Sequence, residues 1–600
     1  MKKYMLLLPL ILACNEIAIP ENPQITEEDL YAHELFLTDD EQQGRYAGTK
    51  FEKRTADYVQ KCFTSFGLEA LDGNYIQEFD FISGVKIGEN NFIANDENGQ
   101  DRISNESFST LGFSEKAQIY TDVVFVGYGI SAPDIPYDDY ENLDVEGKIV
   151  VVLRYSPDSK KNDGDFAQYA PLRYKAVTAR EKGAAAIIYV TGPNEDSYND
   201  KLRSAASGGG KQSVGIPAIH MKRAVLEEWL ASADHANVQD LQTSIKAHPH
   251  AEPAPNSFAI GRKISVSIDI EPELSTSRNV IGVLPGAGSL KDEWVVVGAH
   301  MDHLGWGGEG STSMAPDIHD IHNGADDNGS GTSAMLELAA YFPKQPLDDN
   351  RRSLMFMAFG AEEVGLLGSA NYVENPLIPL EQTAAMLNMD MVGRLNDNTL
   401  IVSGTGSAAI WEDLLNEVNT DSLSLTLDAE GFGSSDHQSF YLKNIPVLFF
   451  FTGAHEDYHR PSDDIDKLNF PGLKKITDLA ERTLKKIIYL EERPEFLKGE
   501  TREKSGRSGR GYSVTFGVVP DFVYTGDGFK ISGVREKAPA GKAGMEAGDI
   551  IININDIDIL NIQDYMYALQ NCTAGVDATV VIMRGEEKIT LIIAPQGKED

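Results

Sequence analysis

The sequence predicts an α/β protein whose mixed central sheet is flanked by helices, with two further β-rich segments attached to it. Three observations carry this. Short apolar runs at 294–299, 354–359, 384–389 and 446–451 read as buried strands, and a stretch of helical apolar period lies at 332–342. After each run comes a histidine or a carboxylate, and open α/β sheets place their sites beyond the carboxyl ends of strands. Segments 118–249 and 512–600 carry strand patterns of their own, and 600 residues are too many for a single core.

At the start of the chain, residues 1–14 read as a targeting segment: Lys2 and Lys3 precede a short apolar stretch from Met5 to Ala13, too short to span a bilayer. Ile11-Leu-Ala-Cys14 resembles a bacterial lipobox, in which cleavage falls before the cysteine and its thiol is lipidated. That resemblance implies export and a cell-envelope lipoprotein anchored through Cys14, at the outer membrane or in the periplasm. Asn15, in place of Asp, favours the outer membrane or surface. Residues 15–30 are polar and read as a tether, and 39–67 as a helical segment containing Gly44-Arg-Tyr-Ala-Gly48. Between 118 and 249, strands near 123–129, 148–153, 184–190 and 216–219 surround a helix near 174–182. Residues 498–511 are Gly, Ser and charged residues without apolar ones, which predicts a flexible linker and weak coupling to the C-terminal segment. In 512–600 a strand at 529–534 and a helix at 562–569 are expected.

A net charge of −39 argues against nucleic acid or an anionic membrane surface as partner. Apart from Cys14, only Cys62 and Cys572 remain. They fall in different expected domains, so no structural disulfide is expected, and metal ligands must be histidines and carboxylates.

The chemistry lies in His300, Asp302, Asp326-Asp327, Glu362-Glu363, Asp390 and His459. Two imidazoles and three carboxylates suffice to hold two Zn²⁺ ions with room for water. The adjacent pair Glu362-Glu363 separates two roles, since one carboxylate can bind metal while its neighbour takes a proton.

These residues resemble the di-zinc aminopeptidase family, which also contains glutamate carboxypeptidase-like and transferrin-receptor-like proteins. The motifs are Ala299-His-Met-Asp302, Asn323-Gly-Ala-Asp-Asp-Asn-Gly-Ser-Gly331, Ala361-Glu-Glu-Val-Gly365, Asn388-Met-Asp390 and His459-Arg-Pro-Ser-Asp463. The resemblance implies a zinc exopeptidase domain over 25–117 and 250–497. It makes His300, Asp327, Glu363, Asp390 and His459 metal ligands, with Asp327 bridging two Zn²⁺ ions and Glu362 the general base. Asp302 and Asp463 would orient His300 and His459 from behind, and Ser435-Asp436-His437 would form part of the wall.

One departure stands out. Some members carry an oxyanion-stabilising tyrosine where this chain has Phe432, which cannot donate. Residues 118–249 resemble a protease-associated domain. Residues 512–600 resemble a PDZ domain, a module that takes up a peptide C-terminus or strand along a sheet edge. The expected activity is an exported exopeptidase, foremost an aminopeptidase removing N-terminal residues by metal-activated water. The alternatives are a carboxypeptidase or dipeptidase using Arg394 for the substrate carboxylate, a glutaminyl cyclase, and a non-catalytic peptide-binding receptor.

Overall fold

A computed structural model describes residues 19–20, 22–132, 135–158, 164–196, 199–203, 212–247, 257–308, 311–498, 514–521, 524, 526–535 and 537–597. The expected anchor Cys14 and nearly all of the expected linker 498–511 lie outside the described residues. No helix among the described residues is long and apolar enough to cross a membrane.

The central sheet has nine strands and is mixed. Its middle is parallel: Ser353–Phe359, Trp294–His300, Thr383–Met389 and Val447–Phe451 lie side by side in that order. Ile270–Leu284 joins one side antiparallel, and Thr399–Ser403 the other. The three strands at 294–300, 353–359 and 383–389 are buried along almost their whole length, which explains why they read as continuous apolar runs. Helices cover both faces. Lys50–Phe66, Gly331–Tyr341 and Phe470–Tyr489 pack into one apolar cluster, while Tyr372 and Val373 of Leu367–Glu374 and Phe440 and Tyr441 of His437–Tyr441 pack into another.

Local chemistry sets the helix ends. Thr26 accepts the amide of Asp29 and starts the helix Glu27–Leu37, which carries three acidic residues in its first turn. The tether expected over 15–30 therefore ends earlier than its polarity suggests. Within the expected helical segment 39–67, Gly44 at φ 68° and Gly48 at φ 76° break the chain, and the helix proper is Lys50–Phe66. Thr49 caps it by accepting from Phe51 and Glu52, and Gly67 closes it in the left-handed conformation.

A second sheet of seven strands runs Phe92–Ala94, Ser257–Ile268, Ala117–Val126, Ile149–Leu153, Ala186–Val190, Ala218–Met221 and Phe108–Thr110. It thus draws strands from before residue 118 and from after 249. Ser257–Ile268 in this sheet is followed after one residue by Ile270–Leu284 in the central sheet, so one extended run serves both.

The C-terminal sheet orders Val518–Pro520, Phe529–Val534, Ile550–Ile554, Ala578–Arg584 and Glu587–Ile593, beside the helix Ile562–Gln570. The polar linker predicts weak coupling for this part; the structure instead seats it against both others. Arg180 on the helix Leu172–Glu181 reaches both carboxylate oxygens of Asp564 at 3.2 Å. The rings of Tyr174 and Tyr567 lie 4.7 Å apart, and Asn561 donates to Ser213 O at 2.9 Å. Arg535 pairs with Glu430 of the first domain at 3.0 Å. Cys62 and Cys572 are free and buried in separate clusters.

Candidate metal centre

His300 is the last residue of its strand and 1% exposed. Its Nδ1 lies 3.1 Å from the backbone oxygen of Asp302. A carbonyl only accepts, so Nδ1 carries the proton and Nε2 is directed into the site. There Nε2 lies 3.3 Å from Asp327 Oδ1 and 3.4 Å from Asp390 Oδ1. His459 repeats the device. Its Nδ1 donates to Thr312 O at 3.1 Å, and its Nε2 lies 3.3 Å from Asp327 Oδ2 and 3.1 Å from Glu363 Oε2. Asp327 therefore presents one oxygen to each imidazole. His300 Nε2 and Asp390 Oδ1 are buried without a hydrogen-bond partner.

These spacings fit metal. Two donors each about 2.0–2.1 Å from a tetrahedral Zn²⁺ lie about 3.3 Å apart, which matches the 3.1–3.4 Å separations in both sets. A further grouping, His303 with Asp327 and Glu363, also falls within 4.8 Å. Here, however, His303 Nδ1 is only 2.6 Å from Glu363 Oε1. That is a hydrogen bond, too short to admit an ion between the atoms. His303 thus holds one oxygen of Glu363 and leaves the other facing His459.

The two neighbouring carboxylate pairs divide their work. Asp326 is turned away from the centre, accepting from Gly393 N at 2.6 Å and pairing with His455 at 3.1 Å. The peptide between Asp327 and Asn328 is cis. Glu362 Oε2 stands 3.9 Å from His300 Nε2, beyond the contact distances of the donor sets. Burial raises its carboxyl well above the ordinary range; His300 opposes this, and Glu363, Asp390 and Asp436 add to it. Burial also works to raise Asp327, but the imidazoles of His300 and His459 beside its oxygens win and hold it well below the usual carboxylate range. Burial lowers His459, yet its bonds to Asp327 and Glu363 push it up to about 10.

Two expected roles are corrected. The Asp302 carboxylate does not orient His300: its nearest oxygen is 3.9 Å from Nδ1, and the backbone carbonyl takes that bond. The carboxylate instead accepts the amides of Glu362 at 3.0 Å and Glu363 at 3.4 Å, fixing the turn that carries the glutamate pair. Nor does Asp463 orient His459. It accepts the amides of Asp326 at 2.9 Å and Asp327 at 3.1 Å, and pairs with Arg394 at 3.0 Å. In both cases a backbone carbonyl lies nearer the imidazole than the side chain does.

Ser435 accepts from Asn388 at 2.8 Å, and Asp436 is buried among His300, Asp390 and Glu362. Phe432 packs edge-on against Tyr441. Two residues escape a reading of the sequence alone. His303 holds Glu363, and its signal is the second histidine in His300-Met-Asp-His303. Tyr458 stacks on His459 with ring centres 3.9 Å apart. Burial raises its phenol, and the charges of Asp327, Glu363, Asp390 and Glu362 raise it further, which places the side chain in the field of the whole centre.

Imidazole and carboxylate donors gathered beyond the carboxyl ends of the parallel strands 294–300, 353–359 and 383–389, with Asp327 and His459 supplied by adjoining loops, have the makings of a metal-dependent hydrolase. The model of peptidase family M28 matches residues 279–484. A PA domain model matches 111–229, and a PDZ domain model 530–581. Aminopeptidase YwaD of Bacillus subtilis is 29% identical over 403 residues, 63% of this chain and 71% of that protein. An aminopeptidase of Pseudomonas aeruginosa is 40% identical over 371 residues, covering 60% of this chain and 56% of that one. The probable lipoprotein aminopeptidase LpqL of Mycobacterium tuberculosis is 26% identical over 54% of each chain. The match thus spans just over half the length of the last two.

Proposed function

We propose that the chain is a zinc-dependent aminopeptidase that removes residues from the N-terminus of peptides. The observation that carries this is Asp327, whose two oxygens face two different imidazoles at 3.3 Å each. Two Zn²⁺ ions are the cofactors: His300, Asp327 and Asp390 would hold one, and His459, Asp327 and Glu363 the other. Imidazole nitrogen and carboxylate oxygen without thiolate suit zinc in a hydrolytic centre. When bound, the ions acidify water and polarise a carbonyl.

The chain's own residues do the rest. Glu362 takes a proton on its carboxylate from the attacking water and returns it to the leaving amine nitrogen. Its raised carboxyl suits a group that must both accept and give. Tyr458 donates its hydroxyl proton toward the carbonyl oxygen as negative charge grows there, the role that Phe432 cannot fill. His303 and Asp302 keep the glutamate pair in place from behind.

Selectivity for an amino terminus follows from charge. The centre is ringed by carboxylates, which favour an amine. The cation that a carboxypeptidase needs is not supplied by Arg394, which is engaged by Asp457 at 3.2 Å and Asp463 at 3.0 Å. The chain is further read as an envelope lipoprotein anchored at Cys14, a reading supported by its similarity to the probable lipoprotein aminopeptidase of Mycobacterium tuberculosis. The PDZ domain is read as a holder of a peptide C-terminus or strand.

The test is hydrolysis of aminoacyl amides beside their N-blocked counterparts by zinc-loaded protein. The proposal expects turnover of the free-amine substrates alone. Equal turnover of both would refute an aminopeptidase.

A further inference from the structure

The segment Gly44-Arg45-Tyr46 lies far from the donor residues in sequence, yet it sits behind the centre. Arg45 is 1% exposed, and its guanidinium is spent on backbone carbonyls. Nε donates to Met301 O at 3.0 Å. Nη1 donates to Asn323 O at 2.6 Å and to Leu37 O at 2.5 Å, and Nη2 to Gly324 O at 3.0 Å. Met301 lies between His300 and Asp302. Asn323 and Gly324 open the turn that carries Asp327. One rigid fork therefore fastens two stretches of the long connection between the strand Trp294–His300 and the helix Gly331–Tyr341, which bear donors of the same centre.

The neighbouring geometry is built for this placement. Gly44 adopts φ 68°, and a Cβ there would fall 2.5 Å from His322 O and 2.6 Å from Gly305 O, so only glycine lets the segment enter between the loops. Tyr46 forms an isolated bridge with His303, the residue that holds Glu363. Arg45 also lies in the field of Asp302, Asp327 and Asp463, where a fixed positive charge offsets the mutual repulsion of the carboxylates.

We propose that Arg45 is a positioning residue of the metal centre, which sets the spacing between the His300 and Asp327 loops and so preorganises both donor sets for the ions. This rests on the metal reading given above. Lysine cannot replace it, because an ammonium lacks the planar fork that meets carbonyls on separate loops. Residues that orient metal ligands from behind typically change metal affinity by about 10–100-fold when removed, and Arg45 acts on two ligand loops at once.

The test uses the full chain, with Zn²⁺ as the probe and a chromophoric chelator as competitor. Melting temperature in excess chelator is measured alongside. Arg45→Met is expected to weaken zinc binding by about 10-fold or more. Arg45→Lys, which keeps the charge and part of the bonding, should recover part of that loss. Leu484→Ala, a core truncation in the helix 470–489, serves as the control: it should lower the melting temperature yet leave zinc affinity at the wild-type value. Wild-type zinc affinity in a folded Arg45→Met protein would overturn the inference. If Arg45→Met does not fold, wild-type affinity in Arg45→Lys overturns it equally. So would a Leu484→Ala protein that loses zinc as readily as Arg45→Met. A wild-type chain that binds no zinc would overturn the metal reading itself and this inference with it, which separates the two failures.

Discussion

Exchanging Glu362 and Glu363 in turn for glutamine separates proton transfer from metal binding. Each exchange keeps size and removes one carboxylate. Glu363 Oε1 is held by His303 at 2.6 Å, and Oε2 faces His459 at 3.1 Å. In Glu363→Gln the amide oxygen keeps the bond from His303, because that nitrogen is a donor, and the NH₂ group then turns into the centre. A neutral donor group replaces an anionic ligand, so zinc content should fall from two per chain toward about one. Among the described residues the Glu362 carboxylate has no comparable contact; its nearest distance to His300 Nε2 is 3.9 Å. Glu362→Gln should keep both ions and lose the proton acceptor. General-base catalysis is worth about 10²–10⁴ in rate, or about 2.7–5.4 kcal/mol of barrier at about 1.36 kcal/mol per factor of ten. Elemental analysis and turnover of an aminoacyl p-nitroanilide read the two effects separately. Zinc loss in Glu362→Gln with retained zinc in Glu363→Gln would reverse the assignment.

Three further outcomes are expected from the same geometry. Tyr458→Phe should retain zinc and lower kcat by about 10²–10³, the usual loss for one oxyanion donor; an unchanged kcat would leave the oxyanion to other groups. Zinc affinity should fall with acidity. The imidazole of His459, pushed up to about 10 without metal, must be deprotonated to bind an ion. Each pH unit below about 10 therefore costs about a factor of ten in apparent affinity for each proton displaced, and competition titrations giving the same affinity at pH 8 and pH 6 would contradict this. Arg180→Met, which strips the buried Asp564 of its partner, should loosen the C-terminal domain. Small-angle scattering should then show a larger radius of gyration and trypsin should release that domain faster, whereas unchanged scattering and digestion would mean that the Arg180 contacts do not hold it.

What is legible in the sequence is what short patterns encode. The apolar runs ending in His300, Asp390 and the glutamate pair become the strands Trp294–His300, Thr383–Met389 and Ser353–Phe359, each shifted by a residue or less at its start. A buried parallel strand must be apolar throughout, and that constraint is local. Partner choice is not legible. Whether His300 is oriented by the Asp302 side chain or by its backbone depends on where the carboxylate finds competing donors, and those are the amides of Glu362 and Glu363, 60 and 61 residues away. The strands Phe92–Ala94 and Ser257–Ile268 pair across more than 160 residues to complete the second sheet, a register that no local alternation states. The ion pair of Arg180 and Asp564 joins positions 384 apart, and nothing near either residue announces it. Arg45 lies inside a motif that reads as the opening of a helix, while its function arises from four carbonyls on three other segments.

The central claim is that one carboxylate, Asp327, serves two metal positions at once. Zinc analysis of the purified wild-type chain and of Asp327→Ala tests it most directly. The wild-type chain should hold two zinc ions and the variant should lose both, since each donor set contains one oxygen of this residue. Two ions retained in Asp327→Ala, or a single ion in the wild type under saturating zinc, would contradict it.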